Sequence, residues 1–267
     1  MKISIGNICT TCARHTGHPQ VEFSEVEFND SGVYEYECKK GHHGLTVLQQ
    51  HKFEVLFEIA INAIVDGYYR EAISAFAASL ERFYEFAIRT LMLKTTGSDV
   101  QFKAAWKEVQ KQSERQLGAF IFTWTQHYKV LPLILSTNQS GLRNDAIHKG
   151  KIVTKEVAIL FGDEVLQIAT ANLDKLKETC ADEISQISVL TMRENLGKDC
   201  DRAERASFTR GGLLSASHTV AKEYRRTLAE EIKTMQGLRE INAMIAVDQK
   251  VQERLNSLRL SSSPDMT

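Results

Sequence analysis

Two groups of residues in this chain have the types and spacing that chemistry needs. One is the run Arg143-Asn144-Asp145-Ala146-Ile147-His148-Lys149-Gly150. On a helix, Asn144 and His148 are one turn apart and share a face, and the long side chain of Arg143 reaches the same space from one step round. His148 would sit in the last turn, where the negative end of the helix favours an imidazolium while Arg143 and Lys149 oppose it. An imidazole so placed suits proton transfer, and a guanidinium beside it suits charge developing on a phosphorus centre. Together they could serve RNA transesterification. His148 would take the proton of a ribose 2′-OH or give one to the leaving 5′-oxygen, and Arg143 would stabilise the pentavalent phosphorus. No metal is needed for that chemistry, and DNA, which lacks the 2′-OH, would be excluded.

The other group is Cys9-x-x-Cys12 and Cys38-x-x-x-His42. Two ligand pairs on two turns, separated by a strand-rich spacer, can close a tetrahedral zinc ribbon. Four protein ligands leave no open position, so this zinc would be structural, supplying stability that so small a core lacks. His15, His18 and His43 are substitute ligands by type, with solvated turn histidines the plainer reading. The ribbon carries Glu22, Glu25, Glu27, Asp30, Glu35 and Glu37 against four basic residues. It is a poor non-specific RNA binder, and protein binding fits it better.

The elements that must hold these groups change character along the chain. Residues 1–46 read as strands and turns. VEFSEVEFNDSGVYEYEC alternates apolar and acidic residues around Asn29-Asp30-Ser31-Gly32, which predicts a β-hairpin. From about residue 47 the period becomes helical. One apolar stripe runs through Phe53, Leu56, Phe57, Ala60, Ile64 and Val65. After Asp66-Gly67 a second runs through Ile73, Phe76, Ala77, Leu80, Phe83, Tyr84, Ala87 and Leu91. Gly97-Ser98 interrupts, and Asp99 is read as the cap of a helix through Trp106 and Val109. Leu131-Pro132 breaks the pattern again. GLRNDAIHKG forms a short helix ending near Gly150, and Thr154 caps a helix through Val157, Leu160, Val165, Ile168 and Leu173. After residue 181 the chain is rich in Arg, Glu, Lys and Gln. Stripes at Leu228, Ile232, Met235, Leu238 and Ile241, and at Val251, Leu255 and Leu258, predict coiled-coil-like amphipathic helices jointed near Arg210-Gly211-Gly212. The tail SSSPDMT reads as disordered.

The middle of the chain resembles the HEPN family. DGYYREAISAFAASLERFYEFAIR is similar to the first helical hairpin of prokaryotic HEPN domains, and GLRNDAIHKG to the family's Arg-x4-6-His motif. The resemblance covers about residues 47–180. It implies a helical up-and-down bundle that dimerises, with two motifs facing each other across a two-fold axis. It further implies a metal-independent ribonuclease of a toxin, antiviral defence or RNA-processing system. Arg143 and His148 carry over as catalytic and Asn144 as positioning. The family often adds an acidic or polar group from the earlier helix, for which Glu81 and Glu85 are both candidates.

The expected architecture is thus mainly α: a zinc ribbon over 1–46, a HEPN-like bundle over 47–180 and a helical extension over 181–267. The charge balance, 33 Lys+Arg against 34 Asp+Glu, excludes a globally basic nucleic-acid binder. No apolar stretch reaches membrane-span length. The first residues, MKISIGNICTTC, do not form a secretory signal. Five unevenly spread cysteines fit a reducing, cytoplasmic compartment. The expected partners are an RNA substrate, a second copy of the chain through the bundle, and a protein partner or inhibitor at the ribbon or the C-terminal helices. The competing readings are a non-catalytic interaction or dimerisation module with a zinc-ribbon adaptor, and a phosphate-holding regulatory module, for which no Gly-rich loop speaks. Trp106, Trp124, Phe120 and Phe122 have the spacing of core aromatics rather than of a base-stacking platform. Cys180 and Cys200 read as ordinary thiols, and His127 lies near the Leu131-Pro132 break, from where it could approach the cleft. Lys222, Arg225 and Arg226 read as part of a solvated face.

Overall fold

The computed structural model describes residues 2–201, 204–209, 212–241 and 244. It is mainly helical, with a small β region at its N-terminal end. That region begins with β1 (Lys2–Ile8), the helical turn α1 (Thr10–Thr16), β2 (Val21–Glu27), β3 (Val33–Glu37) and β4 (His43–Leu48). Helices follow: α2 (Lys52–Val65), α3 (Tyr69–Thr96), α4 (Asp99–Val109), α5 (Ser113–Tyr128), α6 (Thr137–His148) and α7 (Lys155–Leu196). A short strand, β5 (Arg205–Phe208), comes after α7.

The strands lie where the alternating pattern put them, but their partners differ from expectation. β2 and β3 do not form a hairpin with each other. β1 pairs antiparallel with β2, β3 pairs antiparallel with β4, and β5 joins β4 in parallel. Period-two alternation specifies extended backbone with two faces and does not choose a neighbour. The Asn29–Gly32 turn is present. The Asn29 side chain accepts from the amide of Gly32 at 2.7 Å and donates to the carbonyl of Val33 at 3.0 Å, and Gly32 takes φ 62°. It carries the chain from one sheet to the other. The two sheets are joined through Asn7, whose amide donates to Ser24 Oγ at 2.7 Å while its Oδ1 accepts from Thr46 at 2.8 Å. Tyr36 OH also donates to the carbonyl of Ile8 at 2.7 Å.

The helical stripes bury as their period requires. Phe53, Phe57, Phe76, Phe83, Phe120, Trp124 and Phe161 are fully enclosed in one core. Each contributes on the order of 2–3 kcal/mol by leaving water. Asp66 and Gly67 end α2, Gly97 in the left-handed region (φ 67°) ends α3, and Thr154 caps α7 through the amide of Val157. The cap of α4 is Ser98, whose hydroxyl accepts from Val100; Asp99 is the first helical residue. Its carboxylate instead receives Arg89 of α3 at 2.6 and 2.7 Å. Gly162 marks a tight helix crossing, since a Cβ there would come within 2.6 Å of Phe76 and Leu228. Leu160, expected in the core, is 63% exposed, and Phe122, expected to pack, is 80% exposed.

The boundary expected at residue 180 falls inside α7. That helix bends at Cys180 (φ −134°, ψ 32°), a buried thiol, and continues to Leu196, which packs on Leu45 and Val47 of the ribbon. The segment after it is not a separate coiled coil in its described part. β5 completes a sheet of the ribbon, and residues 212–218 then return over the bundle. Leu214 and Ala216 are buried there. Lys177 donates to the carbonyls of Ser215 and His218, each at 2.6 Å. Glu54 accepts the amide of Ala216 at 3.3 Å; burial pushes its carboxyl up to about 8 even so. Residues 228–241 are helical, with Leu228 and Ile232 in the core but Leu238 and Ile241 exposed. Arg225, read as solvated, makes a two-pronged pair with Asp174 at 2.7 and 2.8 Å. The stripe at Val251, Leu255 and Leu258, the Arg210-Gly211 joint, the tail and the side chain of Cys200 lie outside the described residues.

A test follows from the ion network of α3. Burial raises the Asp99 carboxyl, but the hydrogen bonds from Arg89 and Lys103 win and hold it below its ordinary 3.8. Its stabilisation is complete above that ordinary value and is lost as pH falls through the lower folded-state value. Arg89→Ala should cost about 1–3 kcal/mol at pH 7 in urea unfolding, because it removes the two-pronged partner of a largely buried carboxylate and leaves it to Lys103 alone. The gap to wild type should narrow as the pH is taken below 4.

Candidate metal centre and Arg-His site

The four expected ligands converge. Cys9 and Cys12 lie at the start of α1, and Cys38 and His42 flank the tight turn between β3 and β4. Each pair therefore sits in the connection of its own strand pair, rather than on either side of a single hairpin. His42 Nδ1 is 3.7 Å from Cys9 Sγ, 3.3 Å from Cys12 Sγ and 3.6 Å from Cys38 Sγ; the Cys12 and Cys38 sulfurs are 3.9 Å apart. A tetrahedral ion with ordinary Zn–S and Zn–N bonds would set these edges at roughly 3.8 Å between sulfurs and 3.6 Å between sulfur and nitrogen. The donor set fits a metal ion without rearrangement. The three sulfurs are buried.

The electrostatics agree with the geometry. The sulfur of Cys9 accepts the amide of Cys12 at 3.3 Å. Burial raises the Cys38 thiol, but the backbone amides of Lys40 and His42 outweigh it and bring it down to about 6. The Cys12 thiol is pushed the other way, to about 11, by burial and by the neighbouring cysteines. Three sulfurs this close cannot all ionise unless a cation balances them. His15, His18 and His43 are exposed and stand outside the cluster.

The second site is built on α6. Ser136 caps this helix through the amide of Gln139, and Gly150 (φ 67°) turns the chain just after it. Ala146 is buried in the bundle, and its carbonyl accepts from Arg70 Nε of α3 at 3.0 Å, which fixes the rotation of α6. Arg143 is thereby aimed at α3. One of its terminal nitrogens pairs with Glu81, and the other donates to Asn144 Oδ1 at 2.9 Å. Of the two candidate acids, Glu81 is the one that meets the motif. Glu85, one turn on, pairs with Arg82, and Arg82 also reaches Gln116 of α5 at 2.9 Å.

Arg143 and Asn144 line an open pocket of about 200 Å³ between α3, α5 and α6, together with Glu81, Tyr84, Glu114 and Ser140. Glu114 was not singled out in the sequence. It stands in the first turn of α5, far along the chain from the motif, and no spacing connects them. Its carboxyl is held below the usual range, first by the backbone amide of its own helix start, then by the hydroxyl of Ser113, and last by the fields of Arg143 and His148. His148 is exposed, on the same face as Asn144 and one turn beyond it. Lys149 and Lys151 flank it, 2.8 and 3.6 Å from the Asp145 carboxylate. The arrangement offers an oriented cation, a proton-transfer group open to solvent and two surface lysines for a polyanion. Trp106, Trp124 and Phe120 are core residues, and His127 packs edge-on against Tyr128.

Comparison of the chain with models of known protein families, with curated proteins and with solved structures finds no match. No described helix is long and apolar enough to cross a membrane.

Replacing Cys12 with Ala should drop bound metal from one equivalent to near none by elemental analysis. Most far-UV helical signal should remain, because the bundle core is separate from the ligands. Since the ligating thiols must shed protons, metal affinity should rise with pH, and loading should release protons in unbuffered solution.

Proposed function

We propose that this protein is a HEPN-type endoribonuclease that cleaves RNA by 2′-OH transesterification at a site completed by a second copy of the chain. The observation that carries this reading is the Arg143 guanidinium, fixed by Glu81 and Asn144 at a pocket, with His148 exposed one turn beyond on the same helix. The ribose 2′-oxygen attacks the adjacent phosphorus as a histidine removes its proton. The P–O5′ bond breaks, and a second histidine protonates the leaving 5′-oxygen. The products are a 2′,3′-cyclic phosphate and a 5′-hydroxyl. One chain supplies one His148, so acid and base require two copies facing each other. Arg143 stabilises the charge on the phosphorane oxygens, and Glu81 and Asn144 are positioning residues that hold its fork.

In this reading the cluster of Cys9, Cys12, Cys38 and His42 holds a structural Zn2+ that takes no part in cleavage. The ribbon and the C-terminal segment recruit a protein partner or inhibitor. The setting is a cytoplasmic toxin or antiviral defence system. One observation favours a second reading, a non-catalytic interaction or dimerisation module with a zinc-ribbon adaptor. The Arg143–Glu81 ion pair also works as a plain tie between α6 and α3, and Leu131, Leu133, Ile134 and Leu160 leave apolar surface uncovered.

Expressed in bacteria under tight control, the wild type should arrest growth and leave RNA ends carrying cyclic or 3′-phosphate. His148→Ala and Arg143→Ala should lower cleavage by about 10²-fold or more. Glu85→Gln should cleave like wild type, and brief chelation during the assay should not stop turnover. If purified wild type and His148→Ala dimers process a range of RNAs equally, or neither does, the ribonuclease reading fails and the interaction module takes its place.

A further inference from the structure

β2 and β3 follow each other with only residues 28–32 between them, and they part instead of pairing. Among the described residues, β2 has β1 as its one neighbour and β3 has β4. The outer edge of each strand therefore carries alternate backbone amides and carbonyls with no ladder partner. A groove of about 330 Å³ lies between the two strands. Its walls are consecutive residues, 22–26 from β2 and 35–38 from β3 and the turn after it, and Asn7 of β1 and Cys9 of the metal cluster also line it. Side chains on one face of a strand come from every second residue, so an unbroken run on both walls means that the groove follows the strand edges. Glu22 and Glu25 stand on one wall and Glu35 and Glu37 on the other. None of these four is in an ion pair among the described residues. Phe23, 68% exposed, adds an apolar patch beside them.

We propose that this groove receives an extended, Lys/Arg-rich polypeptide segment of a partner protein. The segment inserts as a strand between β2 and β3 and joins the two sheets of the ribbon into one. Backbone hydrogen bonding to both edges supplies affinity without regard to sequence, and the four carboxylates select basic side chains on both faces of the inserted strand. The same field repels the phosphates of nucleic acid, so this surface recognises protein. It is independent of Arg143 and His148, and a chain without nuclease activity would still bind.

The probe is a fluorescent peptide alternating Lys and Thr, titrated into the full-length, metal-loaded protein and followed by anisotropy. A second peptide of the same length and charge, with Pro in place of every Thr, loses all amide donors along one of its edges and cannot pair with both strands. The first peptide should bind, and the Pro peptide should bind at least about tenfold more weakly. Glu25→Lys combined with Glu35→Lys should weaken the first peptide by about tenfold or more, and the paired Gln substitutions by less. An unchanged metal content would establish that the variants are folded. At saturation, hydrogen exchange should slow in both 21–27 and 33–37. Equal binding of the two peptides, indifference to the charge reversal, protection of one strand alone or no binding would each overturn the proposal. Self-association that the peptide does not displace would overturn it in favour of a second copy of the chain.

Discussion

α3 has to be buried around most of its circumference, and the rest of the bundle is arranged to do it. Ile73, Phe76, Ala77, Leu80, Phe83, Tyr84, Phe86, Ala87, Ile88 and Leu91 are all buried, which is more than one apolar stripe. A helix of that kind cannot lie on the surface of anything, so α2, α4, α5, α6 and α7 pack around it. Its charged residues are the exceptions, and several of them tie it to the helices around it. Glu81 holds Arg143 of α6, Arg82 reaches Gln116 of α5, and Arg89 binds Asp99 of α4 and Glu194 of α7. Charges on a mostly buried helix are tolerated only when paired. The pairing that satisfies α3 also fixes where the helices around it stand.

The Arg-His site is a consequence of this arrangement. Arg143 is oriented because Glu81 needs a partner, and α6 is rotated into place because Ala146 is buried and its carbonyl accepts Arg70. In the proposed ribonuclease reading, a guanidinium held from behind by a carboxylate and an amide would lose little freedom on meeting a phosphate. His148 has no such support within one chain and faces solvent.

The ribbon solves a different problem. Ile3, Ile5, Tyr34 and Leu48 make a core too small to stand alone. The cluster of cysteines and His42 ties the two strand connections together. The chain then returns after α7 to add β5, so ribbon and bundle share a continuous backbone path at both ends. Leu196 on Leu45 and Val47 makes that junction apolar.

Much of this was legible in the sequence because it depends on local spacing. The stripes of α2 and α3, the breaks at Asp66-Gly67, Gly97 and Pro132, the cap at Thr154 and the four ligands all follow from periodicity or from short-range stereochemistry. The motif helix, with Asn144 and His148 on one face, follows in the same way. Long-range partnership was not legible. The alternating residues of 21–37 specified strands, but the ladders run to β1 and β4. Glu81 and Glu85 are equivalent by spacing, and only the packing of α6 and α5 against α3 gives Arg143 to one and Arg82 to the other. Glu114, β5 and the returning segment over Glu54 entered by the same route. Contacts between residues far apart in the chain depend on which faces the whole core buries together, and no local pattern contains that information.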